Sequence, residues 1–326
     1  MRINAKDLRG KRITPLWEAV PLPAPWTVFI DVTNVCNFRC CFCPTGSPEM
    51  WQGTARKQGH MSLDTYRLVI EDLANMPKLR MLNLYKDGEP LAHPAFCEMV
   101  NMAYDAQVSD RIWTKTNGVL LDRHPNLATC GLDMLGISVP HVTSEGIKRV
   151  TGAKVDYKRY VESIRKLYQG MRTFEISIKI SDVGLTDSEK DKFYSDFEGI
   201  CEYITIEGLH GWSASDIKNL QVHDSGTFDG NPFDEKLCCP LLFYMLTVNQ
   251  DGSVSVCNDD WGYYHALGNV NQEHLRDIWI GERYNAFRRM HLEGRRGENR
   301  ACANCQYLAA LPDNIDAHIE EMRGKF

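Results

Sequence analysis

Apolar and polar positions along the first two thirds of the chain switch between two periods. Short apolar runs rich in β-branched and aromatic residues read as buried strands. They run from Trp26 to Val32, Leu79 to Tyr85, Arg111 to Lys115, Met134 to Val139, Phe174 to Ile180 and Tyr203 to Glu207. Between them the spacing becomes helical. Tyr66, Val69, Ile70 and Leu73 recur at i, i+3, i+4 and i+7; Pro94 opens a helix that runs to about Tyr104; and Tyr160, Val161, Ile164, Leu167 and Tyr168 share one face. A short helical stretch is expected at 125–129 and a polar helix from Asp187 to Gly199. This alternation predicts an α/β protein with parallel strands. Periodicity alone leaves sheet and barrel both open, and in either one ligands gather at the C-terminal ends of the strands.

After Trp212 the alternation stops. A Gly/Asp/Ser-rich stretch follows, and then Phe243–Val248 and Ser253–Val256 flank Asn249-Gln250-Asp251-Gly252, a hairpin signal. A helical stretch from Leu275 to His291 leads to a terminal Cys302-Ala303-Asn304-Cys305. At the other end, Pro15, Pro21, Pro23 and Pro25 suggest an extended lead-in. The expected organisation is a lead-in (1–25), a core (26–212), a linker (213–236) and a smaller second domain on a different plan (237–326).

Composition adds exclusions. The 326 residues are 43% hydrophobic with a formal net charge of −6, which argues against binding nucleic acid through bulk charge. No apolar run is long enough for a membrane span, and Met1-Arg2-Ile3-Asn4 does not begin a secretory signal. A cytoplasmic location is therefore expected, where disulfides rarely persist. Against that background twelve cysteines need another use. Isolated Cys97, Cys130 and Cys201 read as small buried hydrophobes. Arg283, Arg288, Arg289, Arg295, Arg296 and Arg300, interleaved with glutamates, read as a solvated helix face.

Cys36, Cys40 and Cys43 stand in a CxxxCxxC spacing immediately after the first strand. Three thiolates on one loop can hold a [4Fe–4S] cluster and leave one iron open, whereas a structural zinc usually takes four ligands. The segment resembles the radical S-adenosylmethionine (radical SAM) enzymes, whose loop has this spacing with an aromatic residue at the position of Phe42. The resemblance implies a partial (β/α)6 barrel, with Cys36, Cys40 and Cys43 as cluster ligands and Cys41 as a bystander. It also implies SAM chelated to the open iron and cleaved to a 5′-deoxyadenosyl radical. Asp87-Gly88-Glu89-Pro90 is similar to the family's glycine-rich SAM-ammonium motif, with Asp87 in place of its first glycine. Asn117 after the third strand, Ser138 on the fourth and Lys179 on the fifth match positions toward SAM, with Lys179 directed at its carboxylate. A lysine inside an apolar strand needs some partner in any case.

Cys239, Cys257, Cys302 and Cys305 supply four further thiols, enough for a closed site. Ligand softness alone does not choose between iron–sulfur and zinc. With the hairpin and Gly268-Asn269, this region resembles the abbreviated SPASM domain, or twitch, that follows some radical SAM cores. That implies one auxiliary [4Fe–4S] cluster held by these four cysteines in a small hairpin-plus-helix domain. The spacing is similar to that of twitch-type dehydrogenases of aminocyclitol and sugar metabolism.

A closed cluster can accept an electron. The expected reaction is therefore hydrogen abstraction from a polar alcohol, such as a sugar or cyclitol, followed by oxidation to a carbonyl. Glu207 and His210 after the sixth strand are the candidate bases. The alternatives are epimerisation, with one of Cys41, Cys97, Cys130, Cys201 or Cys238 returning hydrogen, and peptide modification. A flavodoxin or ferredoxin is the expected reductant, with neither nucleic acid nor membrane as a partner.

Overall fold

The computed structural model describes residues 15–182, 184–209 and 235–326. His210 lies outside these, as do residues 1–14 of the expected lead-in and all of the expected linker except residues 235–236.

The six expected strands form where the apolar runs place them: β1 (Thr27–Ile30), β2 (Met81–Asn83), β3 (Ile112–Thr116), β4 (Met134–Val139), β5 (Glu175–Ser181) and β6 (Tyr203–Glu207). All pair parallel in sequence order, with Thr27 opposite Met81 and Ser138 opposite Lys179. In β5 burial alternates strictly, so Ile176, Ile178 and Ile180 enter the core while Lys179 takes the other face. Each such apolar side chain contributes about 1.5–3 kcal/mol of burial.

The intervening helices are α1 (Leu63–Ala74), α2 (Phe96–Asp105), α3 (Ser144–Thr151), α4 (Tyr157–Gln169) and α5 (Asp187–Phe197). Ser62 caps α1, and Thr186 with Glu189 forms a capping box at α5. The stretch 125–129 holds one 3-10 turn, Leu127–Thr129, instead of a helix. The β4–β5 connection holds two helices, because Gly152 in the left-handed region (φ 72°) ends α3.

The C-terminal segment forms the expected antiparallel hairpin and helices, and its strands also continue the core sheet. Strands β7 (Met245–Val248), β8 (Ser253–Ser255) and β9 (Ala266–Asn269) extend the core sheet, in the order β6-β5-β4-β3-β2-β1-β7-β8-β9. β7 runs parallel to β1, with Thr27 opposite Met245 and Ile30 opposite Val248, and β8 and β9 follow antiparallel. The sheet is not closed into a full barrel.

The expected single helix from Leu275 to His291 is two, α6 (Leu275–Ile280) and α7 (Glu282–Leu292). Gly281 between them is extended, and a Cβ there would lie 2.4 Å from the Asp277 carbonyl oxygen. This corner lets Trp279 and Tyr284 pack at 5.0 Å and brings α6 against α1, where Asp72 accepts from the Leu275 amide. The lead-in is likewise tied down: Leu16, Val20, Leu22 and Ala24 are core residues, and Leu22 accepts from the Trp279 indole.

The arginine series divides. Arg283, Arg289 and Arg295 are surface ion-pair partners of glutamates. Arg288 is buried, donating to the Leu242 and Trp279 carbonyls beneath the rings of Trp279 and Tyr284. Among the described residues, no helix is long and apolar enough to cross a membrane.

Candidate active site

The loop leaving β1 is fixed from three sides. Arg39 and Cys41 amides donate to the Thr151 and Val150 carbonyls at the end of α3, and Asn117 Nδ2 donates to Asn37 Oδ1. From the third side the Glu89 amide donates to the Val35 carbonyl. The close approach explains Gly88, where a Cβ would fall 2.2 Å from the Thr33 carbonyl oxygen. Cys36 accepts from the Phe38 amide at 3.4 Å. Burial pushes the Cys36 thiol up to about 12, and the charges of Glu89 and Cys43 add to this. Burial, then Cys43 and Cys36, raise Cys40 as well, and burial raises Cys43. Three crowded thiols whose anions repel one another are a donor set that a polycationic metal group would relieve.

A pocket of about 200 Å³ opens beside this loop at the C-terminal ends of the strands. Cys40, Phe42, Asn117, Ser138, Lys179 and Glu207 all line it. The structure thus gathers residues of the first loop and of the ends of β3 to β6. Lys179 already has a partner: Nζ is 2.6 Å from Glu207 Oε2. The two residues expected to serve SAM and proton transfer separately form one ion pair.

Asp87, Gly88 and Glu89 do not line the pocket. Glu89 is buried and fully occupied, accepting from the Leu91 amide, the Thr116 hydroxyl and the Asn117 amide. Burial raises its pKa, against these hydrogen bonds. It therefore braces the turn that carries Asn117. The Asp87 carboxylate is equally enclosed, with Oδ2 2.7 Å from Arg56 Nη2 and 2.9 Å from Lys86 Nζ.

That pair belongs to a buried polar cluster that sequence reasoning missed. Lys86 also donates to the Asp260 carbonyl, and Arg56 lies between the rings of Trp51, Trp261 and Tyr263 while donating to the Tyr263 hydroxyl and the Trp261 carbonyl. Asp31 accepts from the Asp87 amide. Burial first, and then the Asp87 charge, raise Asp31 to about 8 despite Lys86 and Arg56. Asp31 Oδ2 and Asp87 Oδ1 have no hydrogen-bond partner among the described residues. Asp31 at the end of an apolar run and Asp259-Asp260-Trp261 after Cys257 were available as signals, whereas nothing local marked Arg56.

The second thiol set shares one enclosed cavity of about 30 Å³, lined by Cys239, Cys257, Cys302 and Cys305 among largely apolar neighbours. Cys239 precedes the turn into β7, Cys257 follows β8, and Cys302 sits on α8 (Arg300–Ala303), capped by Asn299. Burial raises all four thiols, Cys302 to about 12 and Cys305 to about 11, with neighbouring cysteines or Asp259 adding to it. His265 Nε2 lies 3.5 Å from Cys302 Sγ, and His291 lines the same cavity. Among the described residues no three His, Cys, Asp or Glu side chains are grouped tightly enough to hold a single metal ion. A four-iron cube tolerates that wider spacing, since each thiolate takes a different iron.

Comparison with known proteins agrees with this construction. The family model described as Radical SAM superfamily matches residues 30–191, and the SPASM model, described as an iron-sulfur cluster-binding domain, matches residues 238–306. The chain belongs to the radical SAM superfamily, carries a C-terminal SPASM domain, and uses SAM and [4Fe–4S] clusters as cofactors.

Among its relatives is the S-adenosyl-L-methionine-dependent 2-deoxy-scyllo-inosamine dehydrogenase of Niallia circulans. The two are 23% identical over 294 residues, which is 90% of this chain and 94% of the relative. A tungsten-containing aldehyde ferredoxin oxidoreductase cofactor-modifying protein of Pyrococcus furiosus is 24% identical over 80% of this chain and 82% of its own. Of solved structures, BtrN in complex with AdoMet and 2-DOIA matches with TM-score 0.55 at 20% identity, over 86% of this chain and 92% of its own. Native anSMEcpe with bound AdoMet matches with TM-score 0.60 at 14% identity, over 92% and 97%. At those identities the structural likeness is one of fold.

Proposed function

We propose that the chain is a radical SAM dehydrogenase of a small polar alcohol of the sugar or cyclitol kind. The observation that carries this reading is the pairing of two sites. One is a pocket of about 200 Å³ at the strand ends, lined by Cys40, Phe42, Asn117, Ser138, Lys179 and Glu207; the other is a much smaller cavity of about 30 Å³ that brings Cys239, Cys257, Cys302 and Cys305 together.

In this reading Cys36, Cys40 and Cys43 hold the open-cornered cluster, and the second four cysteines hold an auxiliary one. SAM bound at the open corner supplies a strong hydrogen-atom abstractor when the cluster is reduced. Phe42 offers its ring as an apolar wall for the adenine, while Asn117 and Ser138 offer hydrogen bonds to the rest of the cofactor. The motif Asp87-Gly88-Glu89 lies outside the pocket lining and has both Glu89 oxygens engaged, so any service to the SAM ammonium falls to its backbone once the cofactor is bound. Lys179 holds the Glu207 carboxylate in place, and Glu207 takes the hydroxyl proton as the alcohol becomes a carbonyl. His210 is the second candidate base. The second set suits the electron acceptor, because its four thiols would leave no iron of a four-iron cluster free for substrate.

The dehydrogenase relative, matched along nearly its whole length, supports oxidation over the alternatives. Epimerisation would need a thiol beside the substrate, and none of Cys41, Cys97, Cys130, Cys201 and Cys238 lines the described pocket. A flavodoxin or ferredoxin in the cytoplasm would supply the first electron.

The test is anaerobic reconstitution followed by turnover with SAM, reductant and a panel of polyols, aminocyclitols and peptides. The reading expects 5′-deoxyadenosine and an oxidised alcohol in equal amounts, without regeneration of SAM. Regenerated SAM with an inverted carbon, or turnover of peptides alone, overturns it.

A further inference from the structure

His291 is an anomaly among the described side chains. It is fully buried on α7, and neither ring nitrogen has a hydrogen-bond partner among the described residues. The Phe287 ring at 5.2 Å holds the imidazole from one side, and the ring lines the cavity shared by the four cysteines. Every protonation state of an imidazole carries at least one N–H, and a buried donor left unmet is costly. Two other donors at this cavity are at least partly engaged, although His265 Nδ1 also has no hydrogen-bond partner among the described residues. His265 Nε2 is 2.7 Å from Asn299 Oδ1, which also caps the helix bearing Cys302, and Arg296 donates to the Cys302 carbonyl. The lining is mostly aliphatic, with Leu241, Leu242, Val256 and Leu308, and its oxygen acceptors are Asp259 and Tyr307; neither is a hydrogen-bond partner of His291.

We propose that His291 is the hydrogen-bond donor to the sulfur atoms of the auxiliary cluster and raises that cluster's reduction potential. This rests on the reading of Cys239, Cys257, Cys302 and Cys305 as ligands of that cluster. A donor aimed at sulfur withdraws electron density and favours the more negatively charged, reduced state. For a cluster that must take an electron from a substrate radical as it is oxidised to a carbonyl, that direction is useful. His291 is thus a positioning residue for electron transfer, acting through the cluster without touching substrate.

The test uses the full chain with Cys36, Cys40 and Cys43 replaced by alanine, so that only the second site contributes a signal. After anaerobic reconstitution, iron and sulfide are counted and the midpoint potential is measured by EPR-monitored titration. His291→Phe keeps an aromatic ring and loses the donor; the expected result is a more negative potential at unchanged iron and sulfide. His291→Gln keeps an N–H and is expected to restore part of the shift, which a merely space-filling role would not produce. An unchanged potential in fully loaded His291→Phe overturns the proposal.

Should the Phe variant fail to assemble, pulsed EPR of ¹⁵N-histidine-labelled His265→Asn protein, with residue 291 intact, decides. A histidine nitrogen coupled to the reduced cluster supports the proposal, and no such coupling overturns it. Failure of the three-alanine chain to bind a four-iron cluster overturns the underlying reading instead, and the iron count distinguishes the two.

Discussion

The loop after β1 and the cavity behind β7 both gather cysteines, and they do so in opposite surroundings. Beside the first set, and lined by its Cys40, lies a pocket of about 200 Å³ that also admits an amide, a hydroxyl, an ammonium and a carboxylate from the ends of four strands. Around the second lies about 30 Å³ lined mostly by leucines, a valine, an alanine and Tyr307, with two imidazoles and the charged Asp259 and Arg296 at its wall. A site that does chemistry needs room and polar groups aimed at a reacting molecule. A site that only passes electrons needs enclosure, which protects the metal group and sets its potential. The buried cluster of Asp31, Asp87, Lys86 and Arg56 joins the two regions, because its cations reach the backbone of Asp260 and Trp261.

That contrast can be broken most sharply at the thiols. Cys40→Ala should abolish SAM cleavage and remove about half of the bound iron, measured by deoxyadenosine release and iron counting. Cys305→Ala should separate the two halves of the reaction: reduced protein still cleaves SAM, but alcohol oxidation is lost. If that variant oxidises substrate normally, the division of labour is wrong.

Next in size is Glu207→Gln, which should lower kcat about 10²- to 10⁴-fold with little change in SAM affinity. Gly88→Ala drives a Cβ against the Thr33 carbonyl oxygen and should destabilise the fold by about 1–3 kcal/mol, read from denaturant unfolding.

The smallest effect is a pH slope at the polar bridge. Asp31 is raised from 3.8 to about 8, so between those values the folded chain holds a proton that the unfolded chain has released. Stability contributed by Asp31 is therefore full below the lower value and falls as pH rises toward the upper one. Asp31→Asn should flatten that slope, read from denaturant unfolding repeated between about pH 4 and 8.

Much of this was legible in local sequence. β4 and β6 match their apolar runs residue for residue: β4 is buried along nearly its whole length, and the edge strand β6, which buries only Ile204, is marked by its β-branched Ile-Thr-Ile. The two thiol sets were legible because ligand chemistry demands particular residue types at close spacing.

Long-range geometry was another matter. The parallel pairing of β7 with β1 joins residues more than two hundred positions apart, and no periodicity encodes it. Glu89 read as a cofactor ligand from its motif, yet three donors from the β2 and β3 loops fill its carboxylate. Arg56 sits in a polar stretch and acquires meaning only when Trp261 and Tyr263 fold over it. Helix spacing continued through Gly281 because both segments share apolar positions, while the backbone turned there.

The β1–β7 pairing carries a consequence for how the chain reaches its native state. Between β2 and β7, β1 is an interior strand; without the C-terminal segment it becomes a bare sheet edge rich in Val, Phe and Ile. Such an edge invites pairing with other chains. A ribosome that has released only the first six strands therefore exposes an aggregation-prone seam directly beside the cysteine loop. A fragment ending after β6 should accumulate as insoluble material, and supplying residues 235–326 as a separate polypeptide should rescue part of it.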